Sequence, residues 1–429
     1  MRKLMMALLG SVMILSFSGC GNSSSDAVNE DTGNVNSEEK EANIRMIVIE
    51  NTISDIEQIL ADYKNEKPNV NVELVPSPDF TAMAQSMLAS HQAGDDYDLT
   101  MVNHTETRAY VKGEVLLPLD SYIERDGVNY EDIIFESQLE SGKVDGVQYA
   151  IPTSTDTRVL AVNKDLFAKY GLDYPETMDD MLEVAKVITE NGDYGFVNSM
   201  ARHDYVSTYE QGVFLKSVGG SLYEIKEGKP IATINTPEMK EYLNFNLELL
   251  KYMPKDCLTM TEDDGRKSFA SGNVGMYIYG PWEFEFLADL DLDFEVDLIL
   301  IPAGEAGHYS TSGGFQMAIG SGTKEPDAAW DLMKFITTSP ENMSLMAKDG
   351  LPTFKESFNY GQFTDEKYAT FKEQLQTSYL PQEPVANLNE VVADFSSYWE
   401  DMLFGKITVD EYCESAQKSV QELLDKNSQ

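Results

Sequence analysis

Hydrophobic and polar positions change period repeatedly along this chain. Residues 44–49 run Ile-Arg-Met-Ile-Val-Ile, a β-branched stretch that predicts a strand. After Ser54, Ile56, Ile59, Leu60 and Tyr63 recur at helical spacing, and the pattern stops before Pro68. Residues 70–75 alternate apolar and polar, the period of a half-buried strand. Together they form a β-α-β unit, and such units build parallel sheets. The pattern recurs. A helix over 81–91 precedes a strand over 98–102, and a helix over 178–189 precedes a strand over 194–197. Helices over 237–252 and 261–271 precede a strand over 274–279. Residues 294–300 alternate into Pro302, and residues 315–319 read as a strand followed by a helix over 326–337. The end, 391–424, reads as helix with a break near Gly405. The fold class is α/β, with more helix than strand and no short repeats.

The start of the chain follows different rules. Arg2 and Lys3 precede an apolar stretch over 4–17, then small residues, the layout of a secretory signal over 1–19. A bilayer span takes about 20 apolar residues, so this stretch is short for one. The run Leu15-Ser16-Phe17-Ser18-Gly19-Cys20 resembles the bacterial lipobox. That resemblance implies that Cys20 is lipidated and becomes the first residue of the mature protein. Residues 20–43 are rich in Ser, Asn, Asp and Glu without apolar periodicity, and are expected to form a disordered tether. The body is then held by lipid alone on the extracytoplasmic face of a cell membrane.

Composition narrows the chemistry. From residue 44 onward the chain is long enough for two domains, and a hydrophobic content of 42% supports real cores. Against 32 Lys and Arg stand 73 Asp and Glu, a formal net charge of -41. Such a surface repels phosphate backbones and anionic lipid, which argues against nucleic-acid partners, and self-repulsion favours a soluble monomer. Beyond Cys20 only Cys257 and Cys413 remain, too few for a disulfide framework, and both read as unpaired, partly buried thiols. The histidines, His91, His104, His203 and His308, form no H-E-x-x-H pair. G-x-S-x-G and G-x-x-x-x-G-K-[ST] are absent, and Gly320-Ser321-Gly322 does not continue as a dinucleotide fingerprint. The acidic run over 289–293 lacks the Gly and closing Glu of a calcium loop. No metal or cofactor is expected. Two acids far apart in sequence leave no local motif, so a glycosidase pair stays open at this point.

Four segments resemble the extracellular solute-binding proteins of ATP-driven sugar importers, the group that includes maltose-binding protein. The first holds Ile151-Pro152, the strand into Asn163-Lys164-Asp165-Leu166-Phe167, Gly171-Leu172 and Pro175-Glu176-Thr177. It departs from the family pattern at Val162, where Tyr is usual, and at Met178, where Trp is usual. The second runs from Phe269-Ala270-Ser271-Gly272 to Gly280-Pro281-Trp282. The third joins Gly313-Gly314-Phe315 to Ala329-Trp330-Asp331, and the fourth is Gly350-Leu351-Pro352-Thr353. The resemblance spans the chain after the tether, in order. It implies a two-lobe, type II periplasmic-binding-protein-like fold, with ligand trapped between lobes joined by crossings near Asp156, Gly313 and Pro352. The lobes are then 44–155 with 312–351, and 156–311 with 352–429.

On this resemblance the chain is the carbohydrate-binding component of an ABC importer, handing solute to membrane permease subunits and catalysing nothing. Ligand residues are expected at strand ends and crossings: Glu50 and Asn51; Asn103, His104 and Thr105; Asp156; Tyr209; Trp282; Gly314; Asn387 and Asn389. Carboxylates and amides suit paired hydroxyls. Trp282, on a Gly-Pro turn, is expected at the site, whereas Trp330 and Trp399, mid-helix among apolar neighbours, are expected in cores. Asn51 and Thr105 equally suit helix caps. Two rivals remain: a binder of a non-sugar solute such as a polyamine, and a surface enzyme acting on polysaccharide.

Overall fold

The computed structural model describes residues 41–200, 212–288, 290, 292–379 and 388–426. The signal over 1–19, Cys20, nearly all of the tether, Tyr209 and Asn387 lie outside the described residues, as does the side chain of Asn389.

Two mixed sheets organise residues 41–426. Strands β1 (Ala42–Ile49), β2 (Val70–Ser77), β3 (Leu99–Asn103) and β4 (Ala150–Thr155) belong to the first. Strands β5 (Val159–Asn163), β6 (Tyr194–Val197), β7 (Val274–Tyr279) and β8 (Val296–Ile299) make the second, in the order β8-β5-β7-β6. The chain then returns to the first sheet with β9 (Gly314–Ile319) and β10 (Leu351–Pro352), giving β10-β4-β9-β3-β1-β2.

The parallel expectation holds for β1 with β2 and β3, and for β6 with β7. Elsewhere the sheets are antiparallel. β9 runs opposite to both β3 and β4 because it enters the first sheet from the other lobe and not from a β-α-β crossover. β5 likewise opposes β7 and β8. β1 begins at Ala42, two positions earlier than its apolar run suggests, because buried Ala42 and exposed Asn43 pair with Val70 and Asn71.

Local chemistry fixes the elements that frame the crossings. Thr177 and Asp180 form a capping box that starts the helix Met178–Glu190, and Thr261 and Asp264 do the same for Glu262–Ala270. Asn163 ends β5, and its Oδ1 accepts from the Leu166 amide at 3.1 Å, capping Lys164–Tyr170. Its Nδ2 donates to the Gly272 carbonyl at 3.2 Å, so the Asn-Lys-Asp motif and the Gly272 turn hold each other. The C-terminal helix breaks twice, between Leu388–Ser397, Trp399–Leu403 and Val409–Lys426. Gly405, at φ 69°, supplies the second break, and neither Gly nor Pro marks the first.

Each sheet has its own core. Trp330, Met317, Ile59 and Ile151 pack in the first, and Trp399, Tyr242, Phe269 and Phe371 in the second. Both tryptophans are 0% exposed. Cys257 and Cys413 are buried and free, and burial pushes each thiol up to about 11.

Candidate functional site

Three passages of chain connect the sheets. The first is Asp156-Thr157-Arg158, between β4 and β5. The second runs through Ser310–Thr311 to Gly313, between β8 and β9. The third follows β10, after which Phe358, Phe363 and Phe371 join the second core. Small hydroxyl residues line the first two. Ser312 Oγ donates to the Asp156 carbonyl at 2.7 Å, Thr155 Oγ1 to the Gly313 carbonyl at 2.9 Å, and Ser310 Oγ to the Arg158 carbonyl at 2.7 Å.

Asp156 ties the two passages through its side chain. Its Oδ1 accepts from the Gly313 amide at 2.7 Å and from Arg158 Nη1. Gly313 and Gly314 are required here. A Cβ on Gly313 would meet Asp156 Oδ2 at 2.9 Å, and one on Gly314, at φ 145°, would meet the Ser154 carbonyl at 2.4 Å.

A cavity of about 170 Å³ opens where these passages meet, at the carboxyl ends of β1 and β2. That is where open α/β sheets present ligand sites. Asn51, Asp156, Trp282 and Gly314 all line it. Trp282 follows β7, half-buried, with its Nε1 donating to Glu262 Oε1 at 3.1 Å. Gly280 makes room for the indole, since a Cβ there would lie 2.3 Å from Trp282 Cζ2.

The remaining expected residues take other places. Glu50 sits exposed in the turn after β1 and does not line the cavity. Asn103 Oδ1 accepts from the Thr105 amide at 3.0 Å and its hydroxyl at 2.8 Å, so these two satisfy each other. His104 is buried behind Gly314. Its backbone amide and Nδ1 both reach the Gly314 carbonyl at 3.3 Å, so Nδ1 carries the proton. Burial lowers the His104 pKa, against opposing contributions from that carbonyl and the Asp156 charge.

The cavity also contains residues that were not expected at the site, and of these Phe315 belongs to a resembling segment. Phe80 and Phe315 stack with ring centres 3.8 Å apart and planes within 6°. Asp55 pairs with Lys348 Nζ at 3.1 Å, and Asp349 accepts from Asn51 Nδ2 at 3.0 Å. Asp79 caps the helix begun by Phe80 and is the local sign of that residue, while Asp55, Lys348 and Asp349 had none. Larger hollows of about 610 and 920 Å³ lie elsewhere, and none of the expected site residues lines either. Among the described residues, no group of three or more His, Cys, Asp or Glu could hold a metal ion, and no helix is long and apolar enough to cross a membrane.

Comparison with known proteins adds the following. Residues 50–343 match the profile described as "Bacterial extracellular solute-binding protein". The maltotriose-binding protein of Pyrococcus abyssi is 24% identical over 343 residues, covering 78% of this chain and 71% of the relative. Among solved structures, the sugar-binding protein MalE from Xanthomonas citri aligns with a TM-score of 0.79 at 18% identity, covering 90% of this chain and 98% of that one. Maltose-bound T. maritima MalE3 aligns with a TM-score of 0.69 at 24% identity, covering 89% and 100%. These likenesses show the two-lobe fold.

Proposed function

Because the chain belongs to the bacterial extracellular solute-binding proteins, we propose that it captures a carbohydrate outside the cell and delivers it to the permease of an ABC importer. The observation that carries this reading is the convergence of Asp156 and Gly314, from two crossings, with Asn51 and Trp282 on one cavity. An amide, a carboxylate and an indole suit a solute with hydroxyl edges and a C–H face. The relatives support it: one is named for maltotriose, and one structural neighbour holds maltose.

The lobes in this reading are 44–155 with 312–351, and 156–311 with 352–429. The protein acts as a monomer without catalysis, as befits a family of binding proteins. Cys20 carries the lipid, the signal over 1–19 is removed, and residues after Cys20 tether the body to the membrane's outer face. Charge pairing at the cavity disfavours a polyamine. Of its three carboxylates, Asp55 faces Lys348, Asp156 faces Arg158, and Asp349 accepts from Asn51. Little unpaired negative charge is left for a polycation.

A thermal-shift screen against mono- and oligosaccharides and polyamines tests the reading. A true ligand at about 100 times its dissociation constant adds about 2.7 kcal/mol of stability. Stabilisation by a polyamine alone would overturn the carbohydrate assignment. Shortening of an oligosaccharide by the pure protein would make it an enzyme.

A further inference from the structure

Resting on the carbohydrate reading, we infer that Arg158 is the positioning residue of this site. It fixes at once the acid on the first crossing and the indole on the second lobe. Its side chain is fully buried, 0% exposed, at the mouth of β5. A guanidinium is expensive to bury, and is retained only where partners repay its lost hydration.

Two of those partners are the ligand-facing groups themselves. Arg158 Nη1 donates to Asp156 Oδ1, the oxygen that also accepts from the Gly313 amide. With Oδ1 doubly occupied, the carboxylate is held in one rotamer, and Oδ2 is the oxygen left to meet a ligand hydroxyl. The guanidinium carbon also lies 4.9 Å from the centre of the Trp282 ring, a cation–π distance. The far edge of that indole is held by Glu262 through Nε1. Trp282 is therefore pinned by a cation over its ring and an anion at its edge.

Planarity makes Arg specific to this position. A flat guanidinium covers a ring face and still directs an N–H into a carboxylate, whereas an ammonium is a point charge. Arg158 thus joins Asp156 on the first crossing to Trp282 after β7, and acts on the ligand through both without touching it.

Two measurements test this on the full folded chain, using Arg158→Met, Arg158→Lys, Asp156→Asn and the double variant Asp156→Asn/Arg158→Met. The first needs no ligand. Trp330 and Trp399 are fully buried, so acrylamide quenching reports mainly on Trp282. Quenching should rise by about twofold in Arg158→Met as the indole loosens, and less in Arg158→Lys. The second is calorimetric titration with maltotriose. Arg158→Met should weaken binding by about tenfold or more, Arg158→Lys should recover part of that, and adding Arg158→Met to Asp156→Asn should cost less than about threefold further, because residues acting as a unit are non-additive. Unchanged quenching in Arg158→Met and Arg158→Lys, or fully additive affinities, would overturn the positioning role. If the wild type binds no sugar, the carbohydrate reading fails while the quenching comparison still decides the role of Arg158. If Arg158→Met does not fold, Arg158→Lys carries both comparisons.

Discussion

Replacing Trp282 by Ala separates a binding surface from a structural one. A sugar ring laid on an indole removes on the order of 100 Å² of apolar surface from water, about 2.5 kcal/mol, or roughly 70-fold in Kd. The cost to folding is smaller. Trp282 is half-buried, and its loss removes one charged hydrogen bond to Glu262 and one cation–π contact with Arg158. Together these are worth about 1–3 kcal/mol. Trp399 provides the contrast, being 0% exposed and packed 6.3 Å from the Tyr242 ring. Trp399→Ala should cost about 3–5 kcal/mol of stability with little change in affinity. Titration calorimetry with the sugar that most stabilises the wild type, beside scanning calorimetry of both variants, reads the two effects separately. Native affinity in Trp282→Ala, with a melting temperature as low as that of Trp399→Ala, would refute the assignment and return Trp282 to the core.

Other outcomes follow from the same features. Cys20→Ala should release folded protein from the membrane fraction, and a variant that stays wholly membrane-bound would demand another anchor. Saturation with sugar should reduce the radius of gyration in small-angle scattering as the lobes close over the crossings; an unchanged radius at proven saturation would count against hinge closure. His104 sets a pH dependence. Its folded pKa is lowered, so the unfolded chain, titrating near about 6.5, takes up the proton more readily. The stability it contributes is complete above about pH 6.5 and is lost as the pH falls from there toward the depressed folded value. His104→Asn should flatten that slope in denaturant titrations, and an identical slope would assign it to other groups.

Local period and caps made most elements legible. The helix Pro326–Thr337 and the strand Val274–Tyr279 begin and end where their sequence patterns do. What stayed hidden depends on contacts distant in sequence. Nothing near Asn51 indicates that its amide meets Asp349, 298 residues on, or that Asp55 meets Lys348, 293 residues on. Asn103 and Thr105 have the chemistry of ligand contacts and of a self-satisfied turn in equal measure, and only the distance between them distinguishes the two. Arg158 carried no signal because a lone Arg before an apolar strand reads as a solvated charge. Its burial follows from Trp282 and Asp156 arriving on either side, which no local period encodes. The antiparallel insertion of β9 was hidden for a similar reason: strand direction depends on which lobe the chain comes from.

These arrangements bear on how such a site could open and close at low cost. A ligand shifts a conformational equilibrium only by its differential affinity for the two states. Lobe separation must therefore disturb little else. Besides the charged bond from the Gly313 amide to Asp156, the bonds joining the first two crossings include hydroxyl-to-carbonyl contacts through Thr155, Ser310 and Ser312, each worth about 0.5–1.5 kcal/mol net because water can replace it. Trp330 and Trp399 anchor separate cores, and neither has to leave its own for the sheets to move apart. The cavity's differential contacts then come from both sides, with Asn51 and Phe80 following first-sheet strands and Trp282 following a second-sheet strand. Contact with one side alone leaves the equilibrium where it was. A solute that touches Phe80 and Trp282 together is what closure would reward, without any contact being specific to one sugar.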